Sequence, residues 1–275
     1  MNTISQIIPR FRKFRFPMIT ALRSVGAIAL APCAMSTASA QIVQVNHQAW
    51  TNIVSATGNG WMHFPRAIGF DIDSSGTTVK KLLVNWQTNA DVVQFPMTHG
   101  YAGSANAGAT WASPSPITTT SPDLDLMASI RLKSGTVLAI PFYPNPSVVG
   151  TTSFTFSYET STDNGVTWTN HANAGTVNGG GNTFGGFRFH RGIIEEANGD
   201  LYAAVYTSFS NLGDAAHRST LFKSTNSGVT WTYLSTMQYT SGLDYTETTV
   251  VRCKNGDFYA VMRNSTGGTL NDLKC

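Results

Sequence analysis

The chain has 275 residues, of which 18 are basic, 15 acidic and three cysteine, with aromatic residues at 11%. Five of the basic residues, Arg10, Arg12, Lys13, Arg15 and Arg23, fall in the first forty positions beside no acidic one, which leaves 13 basic against 15 acidic residues beyond them. A net charge of −2 without a Lys/Arg cluster excludes a nucleic-acid surface, and no later stretch is apolar enough to span a bilayer.

In chain order, residues 1–40 read as a signal peptide. A basic start, the short apolar run "SVGAIALAPCAM" and the small-x-small "ASA" at 38–40 occur in the order that export signals require. The expectation is a secreted or periplasmic protein whose folded part is residues 41–275. That part keeps Cys253 and Cys275, 22 positions apart, which is no disulfide framework and no metal-ligand spacing. Cys253 is expected to be a small buried residue and Cys275 a free one. No metal or other cofactor is indicated.

The folded part lacks the helical period and consists of short β-branched and aromatic runs bounded by Gly, Asn, Asp and Ser, so it is all-β. Four segments put a Gly turn before an apolar strand: "DSSGTTVKKLLVNW", "LKSGTVLAIPFY", "EANGDLYAAVY" and "CKNGDFYAVMR". Their glycines, Gly76, Gly135, Gly199 and Gly256, are 59, 64 and 57 residues apart. A second landmark keeps the same phase. "SANAGATW" (104–111), "STDNGVTW" (161–168) and "STNSGVTW" (224–231) end in Trp111, Trp168 and Trp231, spaced by 57 and 63 residues.

One unit therefore reads as "MASIRL", the Gly turn, "TVLAIPFY", "TSFTFSYE", the eight-residue phrase and the strand that starts "TWTNH". Four antiparallel strands joined as a meander and repeated are the blades of a β-propeller. The segments 112–122, rich in Pro, and 174–186, rich in Gly, are expected to connect units. Within the phrase, Asp163, Asn226 and Asn106 can accept backbone N–H bonds of their own turn, and Gly165, Gly228 and Gly108 supply a conformation other residues resist. The phrase is expected to be a structural clasp with its Trp folded over the hairpin, not a catalytic element.

S-x-D-x-G-x-T-W at this place in a blade resembles the Asp-box, or bacterial neuraminidase repeat, and residues 60–275 resemble the sialidase superfamily. The resemblance implies a six-bladed propeller, of which about four blades are written here before the chain stops at "TLNDLKC". The chain reads as a fragment of a longer product, inactive by itself. The implied activity is exo-α-sialidase-like glycoside hydrolysis with retention. Three arginines grip the carboxylate of a terminal sialic acid, an Asp is the acid/base, and a Glu activates a Tyr nucleophile, the third Arg and the Tyr standing on the family's last blades, which are not written in this chain. Its substrate would be a sialylated or other anionic glycan. Two other functions are open: a propeller of the same fold that binds glycans or proteins without cleaving them, and a glycosidase with another substrate.

Counting back from each repeat glycine places Arg66, then Asp123 and Asp125, then Arg188, His190 and Arg191, then Glu247 at the entrance of the first strand of successive units. A funnel of arginines and carboxylates suits an anionic sugar. "HFPRAI" (63–68) resembles the family's F/Y-R-I-P motif in scrambled order and offers Arg66 for the substrate carboxylate. Asp91 follows 25 residues later as acid/base. "TETTVVRCKNGDFYAVMRN" matches the family's Glu and second Arg, with Glu247 as catalytic residue and Arg263 sixteen positions on. The alternative for this pair is a cross-strand contact that merely steadies a hairpin. Arg188 and Arg191 join the substrate-binding set. A second registration, Arg188 with Asp214, also fits locally, but it puts Glu247 only one blade after the Asp. Asp123, Asp125 or His190 would be the acid/base groups of a glycosidase of different specificity.

Overall fold

The computed structural model describes residues 63–74, 77–88, 99–106, 108–112, 125–145, 148–265 and 273–274. The leader at 1–40, Asp91, Asp123, Cys275 and nearly all of the Pro-rich connector lie outside these residues.

The described residues are all-β apart from one turn of 3-10 helix, Ser210–Leu212. Strands β1 (His63–Ser74), β2 (Thr77–Gln87) and β3 (His99–Ser104) form an antiparallel sheet. Next come β4 (Ala128–Arg131), β5 (Val137–Ile140), β6 (Ser153–Ser161) and β7 (Thr169–Asn178), an antiparallel meander, and β8 (Phe184–Glu195), β9 (Leu201–Phe209), β10 (Asp214–Ser224) and β11 (Thr230–Gln238), another. A third antiparallel sheet holds β12 (Asp244–Arg252), β13 (Phe258–Ser265) and β14 (Leu273–Lys274).

The meanders are not separate sheets, as the repeat alone would have them. Their last strands pair in parallel, Thr230 with Thr176 and Trp231 with Val177, giving the order β4-β5-β6-β7-β11-β10-β9-β8. The two ends of this eight-stranded sheet then meet, because β4 packs against β8 and Phe189 N donates to Phe142 O at 3.2 Å. On the outside β1 packs on β4 and β12 packs on β8. The first strands of the four repeats thus lie side by side in the order β1, β4, β8, β12, a propeller-like arrangement.

Aromatic burial holds this together. Phe154, Phe156, Phe184, Phe187, Phe189, Phe209, Phe222 and Trp231 share one core between the two meanders, with Phe187 edge-on to Phe222 at 5.2 Å and Phe189 edge-on to Trp231 at 5.5 Å. Each such side chain removed from water is worth about 2–3 kcal/mol. The Gly-rich segment is less of a connector than its composition implies. Gly175 belongs to β7 and Gly185 and Gly186 to β8, leaving only residues 179–183 as the link. Gly175 is needed because the ring of Phe156 lies where its Cβ would stand.

The repeated phrase folds as a clasp. Ser161 Oγ donates to Asp163 Oδ1 (2.8 Å) and accepts from Gly165 N (2.8 Å). Asp163 also accepts from Thr167 N (2.8 Å) and Thr167 Oγ1 (2.6 Å). Asn226 and Asn106 repeat the pattern, their amides donating to Thr230 Oγ1 and Thr110 Oγ1. The Ser, Asp or Asn, and Thr side chains of the turn bond within it, which leaves the Trp to pack. That packing reaches further than the Trp's own hairpin. Trp168 shares a cluster with Ile68, Leu83 and Tyr101 of the preceding sheet, and the Cβ that Gly228 lacks would strike Leu138 in the preceding meander. The clasp therefore joins neighbouring repeats. Cys253 is a free thiol and half-buried rather than buried.

Candidate functional site

Four strand ladders break at or beside predicted site residues. The register slips between His63 and Arg66 in β1, between Phe189 and Ile193 in β8, between Asp214 and Arg218 in β10 and between Thr246 and Thr249 in β12. A bulge leaves residues unpaired and turns their side chains out of the pleat, the usual device for aiming groups at a site. The residues so released include His190, Arg191, His217 and Glu247. The bulges of β8 and β12 abut: Gly192, at φ 114°, sits so close to Val250 that an added Cβ would stand 3.3 Å from its N. Glu247 itself has φ 48°, a left-handed conformation that non-glycine residues adopt at a cost of about 1 kcal/mol or more.

Five of the six predicted site residues come together here. Arg263 Nη1 donates to Glu247 Oε1 at 2.7 Å across the β12–β13 hairpin, with the two side chains 50% and 37% exposed. Arg66 donates through Nη2 to Ser129 O at 3.3 Å. Burial lowers the Arg66 pKa, and the nearby positive charge of Arg191 lowers it further. The Nε atoms of Arg66 and Arg191 are both buried without a hydrogen-bond acceptor in the protein. Arg188 lies over the Tyr143 ring at 3.5 Å and donates to Phe187 O at 2.7 Å. The sixth residue, Asp91, is outside the described residues.

His190 is the hinge of this arrangement. Burial, then the charge of Arg191, lowers its pKa to about 4, against the opposing pull of Glu247 and of a hydrogen bond with the Thr248 backbone. It is therefore neutral at neutral pH, and its Nδ1 has no partner. An anion near Arg191 is the charge that would balance the group.

Tyr206, on β9, was not marked by any motif. It stands opposite Arg188 in the ladder, and burial together with Tyr143 and Glu247 raises its pKa, while Arg188 and Arg263 pull the other way. At neutral pH it is an un-ionised phenol that feels the charges of two arginines and a carboxylate. Phe142 and His190 flank its ring at 6.0 and 6.2 Å, and His217 meets it edge-on at 5.5 Å.

The remaining candidate carboxylates are engaged in local structure. Asp125 accepts from Met127 N (2.8 Å) and Phe142 N (2.9 Å), with His99 Nε2 3.9 Å away. Asp214 accepts from Ala216 N and the Tyr239 hydroxyl, bonds that bring its pKa down to about 2. So firmly ionised a group is a poor proton donor, which weighs against the Arg188–Asp214 registration. Tyr245, close to Glu247 in sequence, is buried with its hydroxyl bonded to Thr240 at 3.1 Å. Among the described residues no three His, Cys, Asp or Glu side chains gather to hold a metal ion.

No family model matches this chain, and no curated protein matches it. Solved structures do. A protein of unknown function from Dyadobacter fermentans is similar at 17% identity with a TM-score of 0.50, over 68% of this chain and 60% of that one. The Penicillium chrysogenum α-L-arabinanase complexed with arabinobiose is similar at 16% identity and TM-score 0.48, over 77% of this chain and 61% of that one. The xylan β-1,4-xylosidase of Bacillus halodurans is similar at 12% identity and TM-score 0.46, over 79% and 41%. The chain thus spans about 60% of the length of the first two. At these identities the likeness is one of fold.

Proposed function

We propose that the chain carries the arginine-lined part of a glycoside hydrolase site for an anionic sugar, on a propeller of four-stranded blades, with terminal sialic acid as the sugar that the resemblance implies. The observation that carries this is the Arg66–Arg191 pair. Two guanidinium groups share one buried region beside a neutral His190, with Nε donors unused by the protein. Like charges brought together out of water are unfavourable unless an anion joins them, and a carboxylate matches the planar guanidinium fork.

In this reading Arg66, Arg188, Arg191 and Arg263 orient the substrate carboxylate. Glu247, held by Arg263, lies beside the bond to be broken, Asp91 passes the proton, and the Tyr206 phenol donates to the sugar. A nucleophile close to such a substrate works better as a neutral tyrosine than as a carboxylate, which the substrate's own charge would repel. A second reading, a propeller that binds the anionic sugar without cleaving it, is favoured by the direct Glu247–Arg263 pair, which occupies the carboxylate that the described residues bring to the cluster.

The test is turnover of a fluorogenic sialoside by the full-length protein, with calorimetric binding of free sialic acid as a second readout. Glu247→Gln and Asp91→Asn are each expected to abolish turnover, and Arg66→Met with Arg191→Met to abolish binding. Unchanged rates in both acid variants would remove the site assignment. Binding without any turnover would move the function to the second reading.

A further inference from the structure

The bulge of β10 delivers a polar group to the same rim that the arginine cluster does not employ. His217 lies between Asp214 and Arg218, where the β9–β10 ladder is broken. Asp244, at the start of β12, accepts from the His217 backbone N at 2.7 Å and meets its ring Nδ1 at 3.0 Å through the same oxygen. A carboxylate oxygen only accepts, so Nδ1 carries the hydrogen and, in the neutral imidazole, Nε2 is left as an acceptor. Both side chains are partly open to solvent, 33% for His217 and 38% for Asp244.

The space before Nε2 is kept bare by glycine. A Cβ on Gly186 would stand 3.8 Å from His217 Nε2 and 3.5 Å from Ser208 Oγ, while one on Gly185 would stand 2.8 Å from the same hydroxyl. Neither glycine has a positive φ, so backbone conformation does not demand them. One wall of this space is the Tyr206 ring, set edge-on to the imidazole at 73°. Arg188 stands opposite Tyr206 in the neighbouring strand, and the charge of Glu247 acts on the Tyr206 hydroxyl.

The charged groups around His217 differ from those of the arginine cluster. Toward the first strands the cluster is cationic. Toward β10 the nearby ionisable groups are Asp244 and Asp214, the latter ionised down to about pH 2 by its bonds from Ala216, Tyr239, Ser241 and Gly242. Arg218, the nearest cation on β10, is turned onto the Tyr239 ring at 3.6 Å. A second anion would be repelled there, whereas a hydroxyl could donate to Nε2 with its carbon skeleton against the Tyr206 ring.

We propose that His217, oriented by Asp244, forms with the Tyr206 ring and the Gly185–Gly186 floor a subsite for an uncharged sugar, the unit joined to the anionic one that the arginines hold. This rests on the reading of the arginine cluster as a sugar site. His217 is then a specificity-determining residue that recognises the leaving group.

Lactose is the neutral probe. Added to the full-length protein, it is expected to shift the His217 ring signals in 1H–15N NMR, and lactobionate, similar in size but anionic, to shift them less. Gly186→Val fills the floor without backbone strain and is expected to abolish the lactose shift. The preference for sialyllactose over an aryl sialoside, as a ratio of kcat/KM values, should fall about tenfold in His217→Ala and in Gly186→Val, the worth of one good hydrogen bond. A lactose shift in a full-length protein that cleaves neither substrate supports the subsite and sinks the hydrolase reading. Turnover of both substrates with no lactose shift, and an unaltered ratio in both variants, overturns the subsite alone.

Discussion

The clasps contain their own control, because the third position is Asp163 in one and Asn226 in another with the same backbone bonds. Asn226 Oδ1 accepts from Thr230 N at 2.8 Å, as Asp163 Oδ1 does from Thr167 N, and Ser224 Oγ repeats Ser161. Asp163→Asn therefore keeps the turn and removes only a charge. Burial acts to raise the Asp163 pKa, but bonds from Thr167, Ser161 and Val166 outweigh it and bring the carboxyl to about 2 from an ordinary 3.8. Taken whole, a depression of that size corresponds to about 2.5 kcal/mol. The side chain is exposed, so solvent screening reduces this to about 1 kcal/mol. A depressed carboxylate pKa stabilises the fold above the unfolded value and loses that contribution as pH falls through the folded one. In urea unfolding the variant should trail the parent by about 1 kcal/mol at pH 7, and the gap should close between pH 4 and pH 2. A gap that persists undiminished at pH 2.5 would mean that the charge does not supply the difference, and the linkage argument would be refuted.

Two other expectations follow from burial. His190, with a pKa of about 4, should show that midpoint in an NMR titration; since its folded value is depressed from 6.5, stability falls as pH drops from 6.5 to 4, by about 3 kcal/mol in total. A midpoint near 6.5 would mean that the imidazole is not buried beside Arg191. Gly175→Ala, which drives a methyl into the Phe156 ring, should cost about 1–3 kcal/mol in the same unfolding assay, and an unchanged midpoint would show the β6–β7 contact to be loose.

Much of the architecture was legible in the sequence because repetition carries its own phase. The spacing of the Gly turns and the Trp phrases set the units, and the first strand of each unit emerged beside its neighbours. The parallel β7–β11 pairing was not legible, since nothing in either strand's composition specifies a partner from another repeat. Asp91 could be named from a motif, yet it falls outside the described residues, so its place in the site rests on the resemblance alone.

The candidate site divides along a physical line, whether a bulge preserves or shifts the residue that a hairpin count would pair. Counting outward from the Gly256 turn puts Glu247 opposite Arg263, and although the slip in β12 sets Thr246 there, the released Glu247 side chain still reaches Arg263 at 2.7 Å. That pair was visible in sequence. Counting outward from the Gly199 turn puts Arg188 opposite Ser208, whereas the longer slip in β8 brings it to Tyr206. The slip in β10 likewise frees His217 to reach Asp244 on another sheet. Bulge positions depend on how strands abut, as Gly192 does against Val250, and abutment is a property of the assembled sheets. The aromatic and imidazole part of the site therefore appears only once the strands are in place. The same geometry argues that the bulges serve the site: regular pairing throughout would have directed His190, Glu247 and His217 along three separate ladders and left the arginines without neighbours to act upon.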